Sequence, residues 1–399
     1  MQHYRQWSAA FASYFTFLGL WTAFGPVSLM ASNPQAAPAA LAAITLAYFV
    51  ATPFVRRLWT LLGFARTVVL MGGGVCLALC TAALAPQWMA WCIPLAFFFG
   101  SGSYTVCETQ MLEDLAHAGQ GHAFGRARKW GSLGFLAAAA GGGAVFSFGG
   151  VGRSFSIALA LCGLSYLGCC IALALAHRNT QRSQHRRPRT PTAAAPQPDA
   201  HAAPGTAVAA PGQRLAGSAA VSAMRLAEAI STTWFGAWWL SSGHSPLQTG
   251  LLCALPVAAE FLALWRGSGL LARHSVQWVM LVCCAASAAR WLATPLCDAL
   301  WCAVPLQSLH ALSFGFFYPA SLIWLKQAYG PRFFQARYAT EATARALTAA
   351  VSFAAAGWVI ARVGHGAVFA CSGLLAALSG LWWYRALFLC RQVPGQGPC

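Results

Sequence analysis

Residues Glu108–Phe135 read ETQMLEDLAHAGQGHAFGRARKWGSLGF, and they join two long apolar segments through a short polar loop. Glu108 lies near the end of the first segment, and the start of the second segment carries a basic group, Arg126, Arg128 and Lys129. Placing an ionised side chain inside hydrocarbon costs free energy, so such residues are candidates for function. The stretch therefore predicts two membrane-spanning helices that keep charged side chains for a purpose.

The composition of the whole chain is that of a membrane protein. Hydrophobic residues make up 58% of the 399 residues and charged residues only 8%, whereas soluble domains contain roughly 25% charged residues. A helix needs roughly 20 apolar residues to cross the hydrocarbon core. Twelve segments approach this length, and they span about 7–30, 38–56, 66–85, 88–111, 128–149, 154–176, 217–241, 247–270, 276–296, 301–325, 341–361 and 366–388. We therefore predict an all-α membrane protein with twelve transmembrane helices.

The basic residues are distributed unevenly along the chain, which has 25 lysines and arginines, 8 acidic residues and a net charge of +17. Arg225, Arg290 and Arg345 fall within the apolar segments. If the N-terminus is cytoplasmic, only Arg153 and Arg362 lie on the outside, and the other basic residues lie in or beside cytoplasmic loops and ends. Cytoplasmic loops of membrane proteins carry such an excess. We expect a multi-pass protein of the cell inner (plasma) membrane with both termini in the cytoplasm, and no binding to nucleic acid.

Residues 177–216 interrupt the apolar pattern. They are rich in Pro, Ala, Arg and Gln and contain almost no large apolar side chains, so they cannot bury enough surface to fold. We predict a disordered, basic cytoplasmic linker between an N-terminal six-helix half, residues 1–176, and a C-terminal six-helix half, residues 217–390. Residues 391–399 form a C-terminal tail. The basic cluster in the linker could anchor the topology or bind anionic lipid headgroups.

Two pairs of opposite charges lie within predicted helices of the C-terminal half. Arg225 and Glu228 are three residues apart, and Glu341 and Arg345 are four residues apart. Side chains at these spacings lie on one helix face. Each pair could therefore be neutralised within its own helix.

Three other ionisable residues, Glu260, Arg290 and His310, lie on separate predicted helices. None of them has an ionic partner three or four residues away. They must find partners on other helices or face a water-filled cavity, because buried charges in a membrane are paired or hydrated. We therefore interpret this set as functional, with a hydrogen-bonded structural role for His310 as the alternative.

The fifteen cysteines do not indicate a metal site, because no C-x-x-C pair with a nearby histidine occurs and most cysteines lie in apolar segments. Cys297 and Cys302 flank a predicted outside turn and could form a disulfide. The sequence also lacks the H-E-x-x-H and G-x-S-x-G motifs and paired aspartates. We therefore predict neither an enzyme nor a cofactor.

Two six-helix halves joined by a long basic linker form the plan of the major facilitator superfamily. Within it the chain resembles the proton symporters around lactose permease and the phenylpropionate permeases. The segment FGRAR at Phe124–Arg128, with Glu108 upstream, resembles the junction of the fourth and fifth helices of lactose permease. In that family the acid and the second arginine pair and hold the substrate. The resemblance therefore implies that Glu108, Arg128 and Phe135 bind the substrate, Phe135 standing where lactose permease has a sugar-stacking tryptophan.

The resemblance also covers the charged residues of the C-terminal half. Arg290 and His310 resemble the coupling arginine and histidine of the family, and Glu260 resembles its acid on helix eight. The resemblance implies that these three residues couple transport to protons. Glu228 and Arg345 fall where the family has an interhelical charge pair, so we expect them to form a structural pair.

Some positions depart from the lactose permease pattern. Ser313 replaces an acid three residues after the histidine, and Arg56 and Arg57 stand where the superfamily loop motif also has an acid. Other segments are more similar to the phenylpropionate permeases, namely WGSLGF (Trp130–Phe135), AEFLALW (Ala259–Trp265), ARW (Ala289–Trp291) and LQSLH (Leu306–His310). A galactoside is therefore not the expected substrate.

These features together predict a proton-coupled symporter, or permease, that works by alternating access. We expect it to be a monomer that imports a small organic substrate, with an aromatic or other organic acid favoured. Protons are the coupling ion. Two alternatives stay open: a sugar or nucleoside proton symporter, and a drug or metabolite proton antiporter that exports.

Overall fold

The computed structural model describes residues 4–117, 123–185, 211–267 and 273–391, and all regular secondary structure within these ranges is helical. The α-helices are α1 (Tyr4–Ser32), α2 (Ala37–Leu62), α3 (Phe64–Leu84), α4 (Met89–His117), α5 (Ala123–Gly149), α6 (Val151–His185), α7 (Pro211–Ser241), α8 (Pro246–Gly267), α9 (Val276–Ala293), α10 (Leu300–Ser308), α11 (Phe317–Val363) and α12 (His365–Arg391). Side chains are described in these ranges except at 4, 115–117, 123–128, 180–185, 211, 264–267, 331–346 and 386–391.

Ten segments in the described part of the chain are long and apolar enough to cross a membrane. They agree with ten of the twelve segments predicted from the sequence. The predicted eleventh segment corresponds to Leu347–Val363, which is apolar but shorter. The predicted seventh lies in α7, which has 31 residues and carries Arg225 and Glu228. The predicted all-α class is confirmed, and the chain is a multi-pass membrane protein.

The tenth and eleventh predicted segments are joined in an irregular way. A π-helical segment, Ala311–Phe316, connects α10 to α11. α11 then breaks at Gly330, whose φ is +75° and whose ψ is 162°. Glycine adopts positive φ without the steric cost that a Cβ atom imposes. The tenth span thus runs from Leu300 to Gly330, and the shorter apolar segment Leu347–Val363 lies in the part of α11 beyond Gly330.

The predicted linker is too long at both ends. α6 continues to His185 and α7 begins at Pro211, so parts of the range 177–216 are helical. Arginine and glutamine are good helix formers, and proline is favoured at the first position of a helix. Residues 186–210 lie outside the described ranges, so their predicted disorder stays a prediction.

The two halves pack against each other through α1 with α7, α2 with α11, and α5 with α8. We call the end of the bundle where α6 ends and α7 begins the linker end, and the opposite end the far end. Towards the far end, a Cβ atom on Gly236 would clash with the backbone of Ala23. A Cβ on Gly357 would clash with the ring of Pro38. Gly236 and Gly357 thus allow the two halves to pack closely near the far end.

α5 and α8 form the third contact between the halves. A Cβ atom on Gly143 would clash with Pro246, and one on Gly250 would clash with Ala139. The backbone N–H of Leu247 donates a hydrogen bond to Ser147 Oγ at 3.1 Å. Small residues at helix interfaces permit such close packing in membranes. α5 and α8 therefore meet closely near the far end.

The buried apolar residues follow the same division. One cluster contains residues of both halves, and its members from the C-terminal half, such as Trp239, Leu252 and Phe369, lie towards the far end. A second cluster contains only residues of the C-terminal half, including Met224 and Trp383. The described apolar core therefore joins the halves towards the far end.

A disulfide joins Cys297 to Cys302 between α9 and α10 at the far end. The sequence allowed these two cysteines to pair across the turn, and in the structure they do. The bridge joins the segment that follows α9 to the first turn of α10.

Candidate functional site

A buried ion pair links α7 and α9 in the C-terminal half. Glu228 is 4% exposed and Arg290 is 1% exposed. Arg290 Nη1 donates to Glu228 Oε2 at 3.0 Å. Ser287 Oγ and Trp291 Nε1 donate to Glu228 Oε1 at 2.7 and 3.1 Å. The three donors lie three and four residues apart on one face of α9, so both oxygens of the carboxylate have partners.

Arg290 also reaches the segment around His310. Its Nη1 donates to His310 Nδ1 at 2.9 Å, and its Nη2 donates to Gln307 Oε1 at 2.6 Å. Nη1 also lies 3.4 Å from Ser313 Oγ. A guanidinium group has donors and no acceptor, so the hydrogen bond from Arg290 uses Nδ1 of His310 as its acceptor. Arg290 thus binds groups from α7, α10 and the π-helical segment.

The charge pairs suggested by the sequence have different outcomes. Arg225 does not neutralise Glu228 within α7, because Arg225 Nη2 donates to Ser321 Oγ at 3.0 Å while Glu228 binds Arg290. The side chain of Arg345 lies outside the described residues, as does that of Glu341. The predicted pairing of Glu228 with Arg345 therefore stays a prediction, and the observed ionic partner of Glu228 is Arg290.

An aromatic row extends from this cluster towards the linker end, and it consists of His310, Phe314 and Tyr318. The rings of His310 and Phe314 are nearly parallel with centroids 5.3 Å apart, and those of Phe314 and Tyr318 lie 6.0 Å apart. The guanidinium of Arg225 lies 5.0 Å from the ring of Tyr318. Phe314 and Tyr318 are each 36% exposed. The row thus presents aromatic surface between the buried ion pair and a second cation.

Glu260 lies on α8 beside the π-helical segment. A Cβ atom added to Gly315 would lie 3.2 Å from Glu260 Cγ, so the missing side chain of Gly315 makes room for this acid. Glu260 is half-buried. The structure therefore places Glu260 against the segment that follows His310, while it brings Arg290 and His310 into direct contact.

The acid of the N-terminal half lies next to an aromatic cluster. Tyr104 Oη donates to Glu108 Oε1 at 3.1 Å. The ring of Tyr104 stacks on Tyr14 at 5.4 Å and packs edge-on against Phe11 and Phe15. Glu108 is half-buried. The carboxylate therefore lies at the edge of an aromatic cluster formed by α1 and α4.

The remaining predicted substrate residues lie on α5. The side chain of Arg128 is outside the described residues, so its predicted pairing with Glu108 is untested. Phe135 is half-buried, and its backbone carbonyl lies against Gly19 of α1. A Cβ atom on Gly131 would clash with the ring of Phe15. α5 thus packs on α1 beside the aromatic cluster that holds Glu108.

Three polar residues of the cluster, Ser287, Trp291 and Gln307, were not predicted from the sequence. The sequence does contain a pattern that could have indicated Gln307, because Gln307, His310 and Ser313 recur every three residues in an apolar segment. These side chains carry no charge, so a search for buried charges passes over them. Within the described ranges, no group of three or more His, Cys, Asp or Glu residues could hold a metal ion.

Residues 13–374 match the MFS_1 like family. The fold is similar to the nucleoside transporter NupG, at a TM-score of 0.72 and 16% identity over 98% of this chain and 100% of that one. It is also similar to the inward open xylose transporter XylE from E. coli, with a TM-score of 0.70 and 10% identity over 95% of each chain. The comparison with a D-xylose-proton symporter gives a TM-score of 0.66 and 12% identity, over 96% of this chain and 97% of that one. A comparison with curated protein sequences gives no match. The predicted major facilitator fold is confirmed.

Proposed function

Because the chain belongs to the MFS_1-like family, we propose that it is a secondary transporter that imports a small organic acid together with protons. The observation that carries this proposal is the cluster of Glu228, Arg290 and His310, which lies in contact across three segments of the C-terminal half. Intramembrane ionisable groups with mutual contacts are typical of proton relays in transporters. The family and the buried cluster support a transporter rather than an enzyme.

His310 offers a specific way to couple a proton to a change in contacts. Its Nδ1 accepts from Arg290 and lies 3.5 Å from Glu228 Oε2. A proton on Nδ1 would remove the acceptor and supply a donor that faces Glu228. Arg290 would then lose one of its partners, while Glu228 would gain one. Proton uptake by His310 would therefore change how α7, α9 and α10 are held together.

Glu260 is the second group that we propose for proton coupling. It lies against Gly315, one helical turn beyond the region of His310. A rearrangement of the π-helical segment would change the surroundings of this carboxylate. We therefore propose that the protonation of Glu260 responds when the contacts of His310 change.

The aromatic row supports an aromatic acid as the substrate. Phe314 and Tyr318 expose ring surface on which an aromatic ring could stack. Arg225, at the end of the row, carries the planar fork that suits a carboxylate. On the N-terminal side, Glu108 and its aromatic cluster would face the other end of the ligand, with Arg128 beside them by resemblance. A nucleoside is the second candidate, because its base could stack on the same row.

We infer that this conformation opens towards the cytoplasm. The described contacts between the halves lie towards the far end, and the basic linker places the other end in the cytoplasm by the positive-inside rule. The disulfide at Cys297 and Cys302 lies at the far end, which suits an oxidising extracytoplasmic compartment.

The proposal is tested by adding candidate substrates, as salts at matched pH, to lightly buffered cells that express the chain. We expect an aromatic acid to cause a transient alkalinisation of the medium, and sugars to cause none. Glu260→Gln should abolish accumulation but keep substrate exchange, while Glu113→Gln, an exposed position on α4, should behave as the unmodified protein. Uptake that is unaffected by pH and by collapse of the proton gradient would refute proton coupling.

A further inference from the structure

A groove lies on the surface of the N-terminal half between α3 and α6, at the linker end. Its volume is about 460 Å³. The buried side chains of Ala65 and Ala174 form its floor. Leu70, Ile171 and Leu175 line it and are 53%, 41% and 54% exposed. Small side chains on the floor and large ones around them leave a hollow whose walls are apolar.

The packing of the two helices explains where the groove lies. Further from the linker end, a Cβ atom on Gly72 would clash with Cys170, and one on Gly163 would lie 3.1 Å from Cys76. Glycine therefore lets α3 and α6 touch there. Towards the linker end, Ala65 and Ala174 lie under the groove between the same two helices. The groove is thus separate from the charge cluster of the C-terminal half.

Two arginines complete the lining of the groove. Arg66 lies in the first turn of α3 and Arg178 lies near the end of α6, and both are exposed. Among the described residues, no carboxylate forms an ion pair with either arginine. Both positions are at the level where the apolar span ends and the polar interface begins. The groove therefore has an apolar part towards the membrane interior and two unpaired cations at the interface.

We propose that this groove binds one anionic phospholipid. An acyl chain lies along Leu70, Ile171 and Leu175, and the headgroup phosphate lies between Arg66 and Arg178. Guanidinium groups bind phosphate through charge-assisted, bidentate hydrogen bonds. Basic pockets between transmembrane helices on the cytoplasmic side are suited to anionic headgroups. A headgroup with its own positive charge binds less well, because both arginines repel it.

Native mass spectrometry of the full-length protein tests this proposal. The protein is mixed with equal amounts of phosphatidylglycerol and phosphatidylcholine that have the same acyl chains. We expect one phosphatidylglycerol to be retained in preference to phosphatidylcholine. Each basic residue near an anionic headgroup contributes about fivefold to binding, so the double variant Arg66→Gln/Arg178→Gln should bind phosphatidylglycerol about 25-fold more weakly.

The control is the double variant Arg153→Gln/Arg362→Gln, which removes the same charge at the far end, where both residues are exposed. It should keep the preference for phosphatidylglycerol. A second variant, Leu175→Gln, should weaken the binding of both lipids and leave the preference for phosphatidylglycerol unchanged. This result would separate the acyl-chain contact from the headgroup contact. Each variant is compared at equal helix content by circular dichroism.

Three outcomes would overturn the proposal. One is the absence of a preference for phosphatidylglycerol in the unmodified protein. Another is an equal loss of binding in the far-end control, which would reflect net charge alone. The third is competition by soluble glycerol phosphate at the same concentration as the lipid, which would assign the two arginines to a free phosphate instead.

Discussion

The two halves of the molecule each keep an acid within the helical bundle, but they accommodate it differently. In the C-terminal half, Glu228 is 4% exposed and both of its oxygens have donors, including Arg290. In the N-terminal half, Glu108 is half-buried and accepts a hydrogen bond from Tyr104. The buried ion pair of Glu228 and Arg290 holds α7 against α9, and we propose that it takes part in proton coupling. We propose that the half-buried Glu108 contacts the substrate.

The largest effect on stability is expected from removing one member of the buried ion pair of Glu228 and Arg290. Arg290→Ala leaves Glu228 buried without its cation, and removing one member of a buried pair costs about 3–5 kcal/mol. We expect a large loss of thermal stability in detergent, measured by the midpoint of unfolding. Little change in stability would show that Glu228 does not depend on Arg290.

The matched control for this change removes both charges. The double variant Glu228→Gln/Arg290→Gln should recover a large part of the lost stability, because no buried charge is left unpaired. It should still fail to accumulate substrate against a gradient. Recovery of both stability and accumulation would show that the cluster has only a structural role.

A smaller effect, confined to transport, is expected at the acid of the other half. Glu108→Gln removes a charge that we propose contacts the substrate, and a hydrogen bond to a charged group contributes about 1.5–3 kcal/mol. Substrate affinity should therefore fall at least about tenfold, while the unfolding midpoint changes little. Glu113→Gln on the same helix is the control. If the unfolding midpoint of Glu108→Gln fell as far as that of Arg290→Ala, Glu108 would also have a structural role, and the two acids would not differ in function.

The contact between the halves can be tested with two neighbouring glycines of α5. A Cβ atom on Gly143 would clash with Pro246 of α8, whereas one on Gly141 would have no atom within 4 Å. Gly143→Ala should destabilise this conformation by about 1–3 kcal/mol through overpacking, and Gly141→Ala should not. Hydrogen exchange near the far end of α5 and α8 should increase in the first variant only. Equal exchange in both would contradict the proposed contact.

The smallest effect is expected at the segment that joins the halves. A Gly/Ser sequence of the same length in place of residues 190–205 is a flexible chain that can span the same distance. Transport and stability should stay within about twofold of the unmodified protein. Loss of transport at normal expression would show that transport depends on the sequence of the linker and not only on its length.

The sequence predicted the features that depend on local pattern. Apolar runs of about 20 residues gave ten spans that the structure also has. The positions of Arg290 and His310, on consecutive helices, correctly suggested partners on other helices. The limits of the linker were less accurate, because helices can continue beyond the apolar run when the next residues are good helix formers, as at the end of α6.

The sequence by itself determined that this chain crosses the membrane many times and that Arg290 and His310 need partners, because hydrocarbon length and the cost of buried charge act on single segments. Only the tertiary structure decided that Glu228 is the partner, that Gly315 makes room for Glu260, and that α3 and α6 leave a groove beside Arg66. Such contacts depend on how helices rotate and approach one another. Spacing along one helix does not fix which face meets a neighbour.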